Sequence, residues 1–273
     1  MGGTLRPDGR VIAPRRLALG TVGYPKLWIA PDGSGLLVYA RQRTIAARRR
    51  APDGSWGSME RVGTAPDWVN QLESWQITGS GERFVIAAVV SRRGNGVRTQ
   101  VFTEVRSPGG RWSGAPLGDY VFHTTAATSF VTGQMRAVPL IAADGRIHVL
   151  WPDMVDGRVR AALTELTPHG DGVAAEPPTL LSGTTTDVAI EDAAIRPDGQ
   201  IAAVWFDTSA NGGTPTLAQA DASGAITVTP PLSSGRAVLG SHVAFDPLTG
   251  RPTVVWAQSD TDPRYRLMSW TAP

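Results

Sequence analysis

Cysteine is absent from this sequence, which excludes disulfides, thiol nucleophiles and thiolate metal sites. Lysine is nearly absent as well. Lys26 stands alone beside 25 arginines, a bias of GC-rich genomes that leaves a single amine to place. No stretch approaches the roughly 18 apolar residues of a membrane span, and the start, MGGTLRPDGR, lacks the apolar core of a signal peptide. The chain therefore reads as cytoplasmic, or as a mature secreted domain without its leader, with no membrane partner. A net charge of only +2 is too balanced for a nucleic-acid footprint. The one dense basic run, Arg48 to Arg50, reads as a solvated strand edge. No Ser-His-Asp order, zinc motif, phosphate loop or dinucleotide fingerprint is present, so no cofactor is expected. A cation such as calcium has no ligand spacing to support it, and the metal content stays open.

Helical periodicity is missing too, which argues against a helical solenoid or an α/β fold. What the chain has instead is a repeat. Five segments share an apolar strand, a glycine turn and a second apolar strand: LWIAPDGSGLLVYA (27–40), WQITGSGERFVIAAVV (75–90), PLIAADGRIHVLW (139–151), AAIRPDGQIAAVW (193–205) and VAFDPLTGRPTVVW (243–256). Their turn glycines are Gly33, Gly81, Gly145, Gly199 and Gly250, at intervals of 48, 64, 54 and 51 residues. Further strand-like stretches follow each hairpin, joined by Pro-Asp-Gly and Pro-Gly-Gly steps that supply turn chemistry. Four strands per unit, repeated, make the blades of a β-propeller. With 41% hydrophobic residues, a sizeable core is available.

The expectation is an all-β, single-domain, five-bladed β-propeller over residues 1–273, built of four-stranded antiparallel blades. The blades fall near 21–63, 68–118, 134–182, 187–234 and 239–273. The N-terminal strand, within 5–20, joins the last blade and closes the ring.

APDGSWGS (51–58) and SPGGRWSG (107–114) resemble degenerate Asp-box turns, and the repeats as a whole resemble sialidase-like, BNR-type propellers. The five-blade count also resembles the arabinanase-like and invertase-like glycoside hydrolases. That likeness implies glycosidase chemistry on a sugar. The early Asp of the first blade in that group is missing here, where the strand reads YPKLWIA.

Counting back from each turn glycine, with one extra residue in the DPLTG turn, aligns the first strands. Apolar columns lie four and six residues before the glycine. Beyond them the columns turn polar. Seven before are Lys26, Ser74, Val138, Asp192 and His242; eight before are Pro25, Glu73, Ala137, Glu191 and Ser241; nine before include Tyr24 and Arg136. Ionisable groups crowded in a concave mouth shift one another's pKa values and favour a functional site. Glu73, Glu191, Asp192 and His242 are the acid–base candidates. Lys26 and Arg136 are suited to holding an anion or stabilising developing charge.

Trp68, Gln71, Tyr24, Asp153 and Asp207 join them as substrate-binding candidates. So does His123, in the long connection GDYVFHTTAATSFVTGQ (118–134). A polar but merely solvated or paired mouth, for instance Lys26 with Glu191, is the competing interpretation. Side-chain alternation along a strand sends Glu191 and Asp192 to opposite faces. Three functions fit: an acid–base enzyme on a small polar substrate such as a sugar, a lectin-like binding propeller, and a cyclase or condensation enzyme on an aromatic substrate.

Overall fold

The computed structural model describes residues 2–5, 11–15, 23–41, 44–64, 71–93, 97–122, 135–183, 187–208, 213–229, 231–232, 237–261 and 264–273. All regular structure among them is β. Two compact units divide the chain, residues 1–69 and 70–273. In the first unit, β1 (Gly2–Leu5) pairs with β2 (Val11–Arg15) in a sheet of two. A four-stranded sheet follows, running in order through β3 (Gly23–Ile29), β4 (Gly35–Arg41), β5 (Thr44–Arg50) and β6 (Trp56–Thr64).

The second unit carries four more antiparallel sheets. The first holds β7 (Gln71–Ser80), β8 (Arg83–Arg93), β9 (Val97–Arg106) and β10 (Trp112–Phe122). The next holds β11 (Val138–Ile141), β12 (Ile147–Val155), β13 (Arg158–His169) and β14 (Gly172–Ala175), with the short β15 (Thr179–Leu180) also on β13. Then come β16 (Asp187–Ile195), β17 (Ile201–Thr208), β18 (Thr214–Ala220) and β19 (Ile226–Thr229). The last sheet has three strands, β20 (Ala237–Phe245), β21 (Pro252–Thr261) and β22 (Arg264–Thr271).

Two expectations change here. The N-terminal segment forms a hairpin with itself, and the last sheet stays at three strands; no pairing of β22 with an N-terminal strand occurs among the described residues. The arginine run is not a sheet edge either. Strand β5 is bonded to β4 on one side and β6 on the other, and the Arg50 guanidinium donates to the Gly33 carbonyl.

The hairpin turns follow from their sequence. At Gly33, Gly54, Gly145 and Gly199 the residue three before the glycine (Ala30, Ala51, Ala142 and Arg196) accepts from the glycine N–H and donates to the residue after it. The Asp before each of these four accepts from the main chain ahead: Asp32 from Ser34, Asp53 from Ser55, Asp144 from Arg146 and Asp198 from Gln200. Gly145 and Gly199 sit at φ of 88° and 89°, in the left-handed region open to glycine. Arginines close over these turns from the preceding sheet. Arg83 donates to the Gly145 carbonyl at 2.7 Å and Arg196 to that of Gly250 at 3.0 Å. A Cβ on Gly199 would lie 2.9 Å from Arg146 Nη2.

Between these ends the sheets pack through apolar faces that include Val89, Val149, Trp151, Ile190 and Trp205. Two tryptophans at equivalent places differ in one detail. Trp151 Nε1 donates to Thr164 Oγ1 at 2.8 Å, a diagonal neighbour on the next strand. The equivalent neighbour of Trp205 is Ala218, and Trp205 Nε1 is buried without a partner. An unmade buried hydrogen bond costs about 1–3 kcal/mol. Ala218→Ser places an acceptor there, and urea denaturation should show stabilisation of about 1 kcal/mol.

Glu104 on β9 is the other anomaly of the scaffold. It faces Gly114 across the ladder, where a Cβ would approach its carboxylate within 3.1 Å. Burial pushes its pKa from 4.5 up to about 7, because a desolvated carboxyl resists ionisation. A carboxyl raised on folding contributes its full share of stability below the unfolded value and loses it as pH rises through the folded one. Stability should therefore fall between about pH 4.5 and pH 7. Glu104→Gln should remove that fall, its advantage over the parent growing to roughly 3 kcal/mol above pH 8.

Candidate functional site

The turn glycines lie at one end of the sheets; the first strands β7, β16 and β20 begin at the other. Each of these strands carries a β-bulge near that beginning. The ladder shifts register between Leu72 and Ser74 on β7, between Ile190 and Asp192 on β16, and between Leu239 and Ser241 on β20. The bulged residues are Glu73, Glu191 and Gly240, the glycine at a φ of 56°. A bulge inserts one residue and re-aims the side chains around it.

The consequence is clearest at Glu191 and Asp192. Alternation predicted opposite faces, but both carboxylates reach the same neighbour. Ser241 N–H donates to Glu191 Oε2 at 3.3 Å, and Val243 N–H donates to Asp192 Oδ2 at 3.2 Å. The register shift cancels the parity of the strand, so consecutive residues both meet β20.

Their environments nevertheless differ. Glu191 is buried, with its side chain 3% exposed. Arg136, from the segment before β11, places Nη1 3.7 Å from Glu191 Oε2 and donates to the Glu191 carbonyl at 3.4 Å. The cation beside Glu191 within this unit is Arg136. Burial raises the Glu191 pKa, while Arg136, the Ser241 N–H and His242 pull it down; desolvation is the larger influence. Asp192 is less enclosed. It accepts from His242 Nδ1 at 3.1 Å, and its other oxygen takes the Ala193 N–H. Since a carboxylate accepts, Nδ1 carries the proton in this contact. The His242 side chain is 73% exposed. Ser241 completes the group with a fully buried hydroxyl that has no partner.

Four of the sequence candidates thus meet: Arg136, Glu191, Asp192 and His242. Others do not join them among the described contacts. Asp153 binds the adjacent Met154 N–H at 2.8 Å, and burial raises its pKa. Asp207 accepts the Thr216 hydroxyl at 3.0 Å. Lys26 is exposed on β3. Tyr24 lies on β3, and Gln71 and Glu73 on β7, with side chains beyond what is described. Trp68 and His123 fall outside the described residues. Counting residues missed Ser241, although it sits in the Glu191 column. Its contribution comes from the main-chain N–H and an unpaired hydroxyl, which no side-chain pattern signals. At the turn end, a pocket of about 260 Å³ between Glu82, Pro108 and Gly145 brings no comparable acid–base group together, since its arginine, Arg83, is bonded to Gly145.

No family model matches the chain, and no curated protein matches it in sequence. Solved structures do. The α-L-arabinanase of Penicillium chrysogenum, solved with arabinobiose, is 13% identical, with a TM-score of 0.53 over 90% of this chain and 80% of that one. An endo-arabinase from Bacteroides thetaiotaomicron is 14% identical, with a TM-score of 0.45 over 91% of this chain and 93% of that one. The first likeness establishes the fold, a β-propeller of antiparallel sheets. The architecture is arabinanase-like, and a sialidase-type likeness is not shown.

The carboxylate contacts have a structural share that can be measured apart from any activity. Asp192→Asn keeps the shape but gives up a charged acceptor for Val243 N–H and for His242. The expected loss is about 1–3 kcal/mol in chemical denaturation. Hydrogen exchange should quicken at Val243 before it does at the turn end.

Proposed function

We propose that the chain is an acid–base enzyme acting on a sugar, with Glu191 as the proton donor and the Asp192–His242 pair as its basic partner. The observation that carries this reading is the contrast between two adjacent carboxylates. One is buried and pushed toward the protonated form, and the other is solvated enough to hold a histidine. A carboxyl pushed up by burial beside a more open carboxylate is an arrangement from which one site can supply a proton donor.

Glycoside cleavage needs those two roles. A protonated carboxyl gives its proton to the departing oxygen, while a base activates water on the other side. Asp192 fixes the His242 ring through Nδ1, so Nε2 is the nitrogen available to take a proton. Ser241 holds the Glu191 carboxyl by its N–H, and its unsatisfied buried hydroxyl is the kind of group that calls for a functional explanation. The arabinanase-like fold supports a sugar as the substrate class by analogy. Within the same unit, Glu73 falls by residue count in the column of Glu191 and is proposed as a second carboxylate, with Gln71 as a further substrate contact. In this reading the five repeats are five blades of one propeller domain. The polar groups at the strand beginnings differ from sheet to sheet, which favours one asymmetric catalytic site over the recurring sites of a lectin.

Turnover on a panel of neutral and acidic oligosaccharides tests the proposal. Glu191→Gln should lower kcat by about 10²–10⁴-fold while leaving binding largely intact. The active form of Glu191 is protonated, so activity should decline as pH rises through its pKa. Arg136 lowers that pKa, so Arg136→Met should move the alkaline limb to higher pH. Undiminished turnover in Glu191→Gln would sink the proposal.

A further inference from the structure

We infer that the substrate carries a carboxylate, that is, an acidic sugar of the uronate class, and that Arg136 reads it. This rests on the reading of the Glu191 end as the catalytic site and adds the chemical class of what enters it.

The argument begins with how poorly Arg136 serves Glu191. An arginine whose task is to neutralise a buried carboxylate takes it with two parallel N–H···O bonds at about 2.7–2.9 Å. Here only Nη1 is engaged, at 3.7 Å from Oε2 and 3.4 Å from the main-chain carbonyl. The first distance is too long for a hydrogen bond. Arg136 has no other hydrogen bond or ion pair among the described residues, so Nη2 and Nε are uncommitted. Its side chain is 36% exposed beside a carboxyl that is 3% exposed. Among the described contacts the guanidinium therefore touches Glu191 with one corner and leaves its Nη2–Nε edge unbonded on a partly exposed side chain.

That edge has a definite chemistry. Two N–H groups side by side match the two oxygens of a carboxylate, a geometry that an ammonium cannot reproduce. The local charge points the same way. With Glu191 in its protonated, proton-donating form, Arg136 is left without a counterion, while Asp192 is already shared with His242 and the Val243 N–H. An anionic group on the substrate restores the balance, and a neutral pentose or hexose does not. The exposed His242 ring is tied to the neighbouring carboxylate, Asp192. A sugar held by its carboxylate at Arg136 is then oriented with its remaining edge toward the proton donor.

Matched pairs differing only at C6 isolate this claim: galacturonate with galactose and glucuronate with glucose, as monomers and as dimers, measured by calorimetry at fixed salt. The parent should bind the uronate of each pair on the order of ten- to a hundredfold more tightly. Arg136→Gln should abolish the preference, and Arg136→Lys should retain only a fraction of it, because charge without the fork is not enough. Affinity for the neutral member and the unfolding midpoint serve as controls for folding. Equal affinity within each pair, or a preference that survives Arg136→Gln, overturns the inference. If turnover is still lost in Glu191→Gln in that case, the catalytic reading stands without it. If no sugar of either class binds and Glu191→Gln changes nothing, the catalytic reading fails and takes this inference with it.

Discussion

Strands of neighbouring sheets in this molecule cannot form a ladder with one another, so each sheet-to-sheet junction must be fixed by something other than main-chain pairing. Apolar faces supply the attraction, but burial is non-directional and does not set register. In the second unit the register is set by polar contacts at both ends of the junctions. From the sheet of β7 to that of β11, Ser74 Oγ donates to the Met135 carbonyl at 2.7 Å and Arg83 holds Gly145. Onward to the sheet of β16, Arg136 meets Glu191, and Arg146 lies against Gly199. From there to β20, Glu191 and Asp192 take main-chain N–H groups, and Arg196 holds Gly250.

The two ends of these junctions are built differently. At the turn end the device repeats, an arginine over a glycine turn, and chemically identical solutions need only a structural explanation. At the other end it changes along the chain, from a hydroxyl bonded to a carbonyl to a group of an arginine, two carboxylates and a histidine. A neutral serine suffices at the first junction, so register alone does not require charged groups at the next two. Of these groups Glu191 is buried, and a buried carboxyl is expensive compared with an apolar or neutral side chain. Its presence where a hydroxyl would serve argues that it does something besides joining sheets.

Much of this could be read from residue order. Turn glycines recur because the hairpins need positive φ, and counting from them placed Asp192 level with His242 and Glu191 level with Ser241. Those pairs are in contact. The parity of β16 could not be read, because a bulge changes which face a residue takes without leaving a mark in composition. Arg48–Arg50 misled for a related reason: a charged run suggests an edge, yet long arginine side chains can leave a central strand and reach a carbonyl at its end. The N-terminal strand was assigned to the last sheet by counting strands, whereas a hairpin with its own neighbour requires only local contacts. Ala218 was invisible until Trp205 and Trp151 could be compared in register.

The missing aspartate in YPKLWIA bears on what the fold can transfer. A propeller presents the beginnings of its first strands whether or not a given residue stands there, so likeness of fold survives the loss of any one catalytic group. What the chain keeps is a buried carboxyl whose pKa burial raises, a histidine in contact with a carboxylate, and an arginine only partly engaged. Asp192 and His242 come from adjoining sheets within one compact unit and meet next to Glu191. The chemistry proposed for this chain therefore rests on the junction between β16 and β20, which likeness of fold alone neither supplies nor removes.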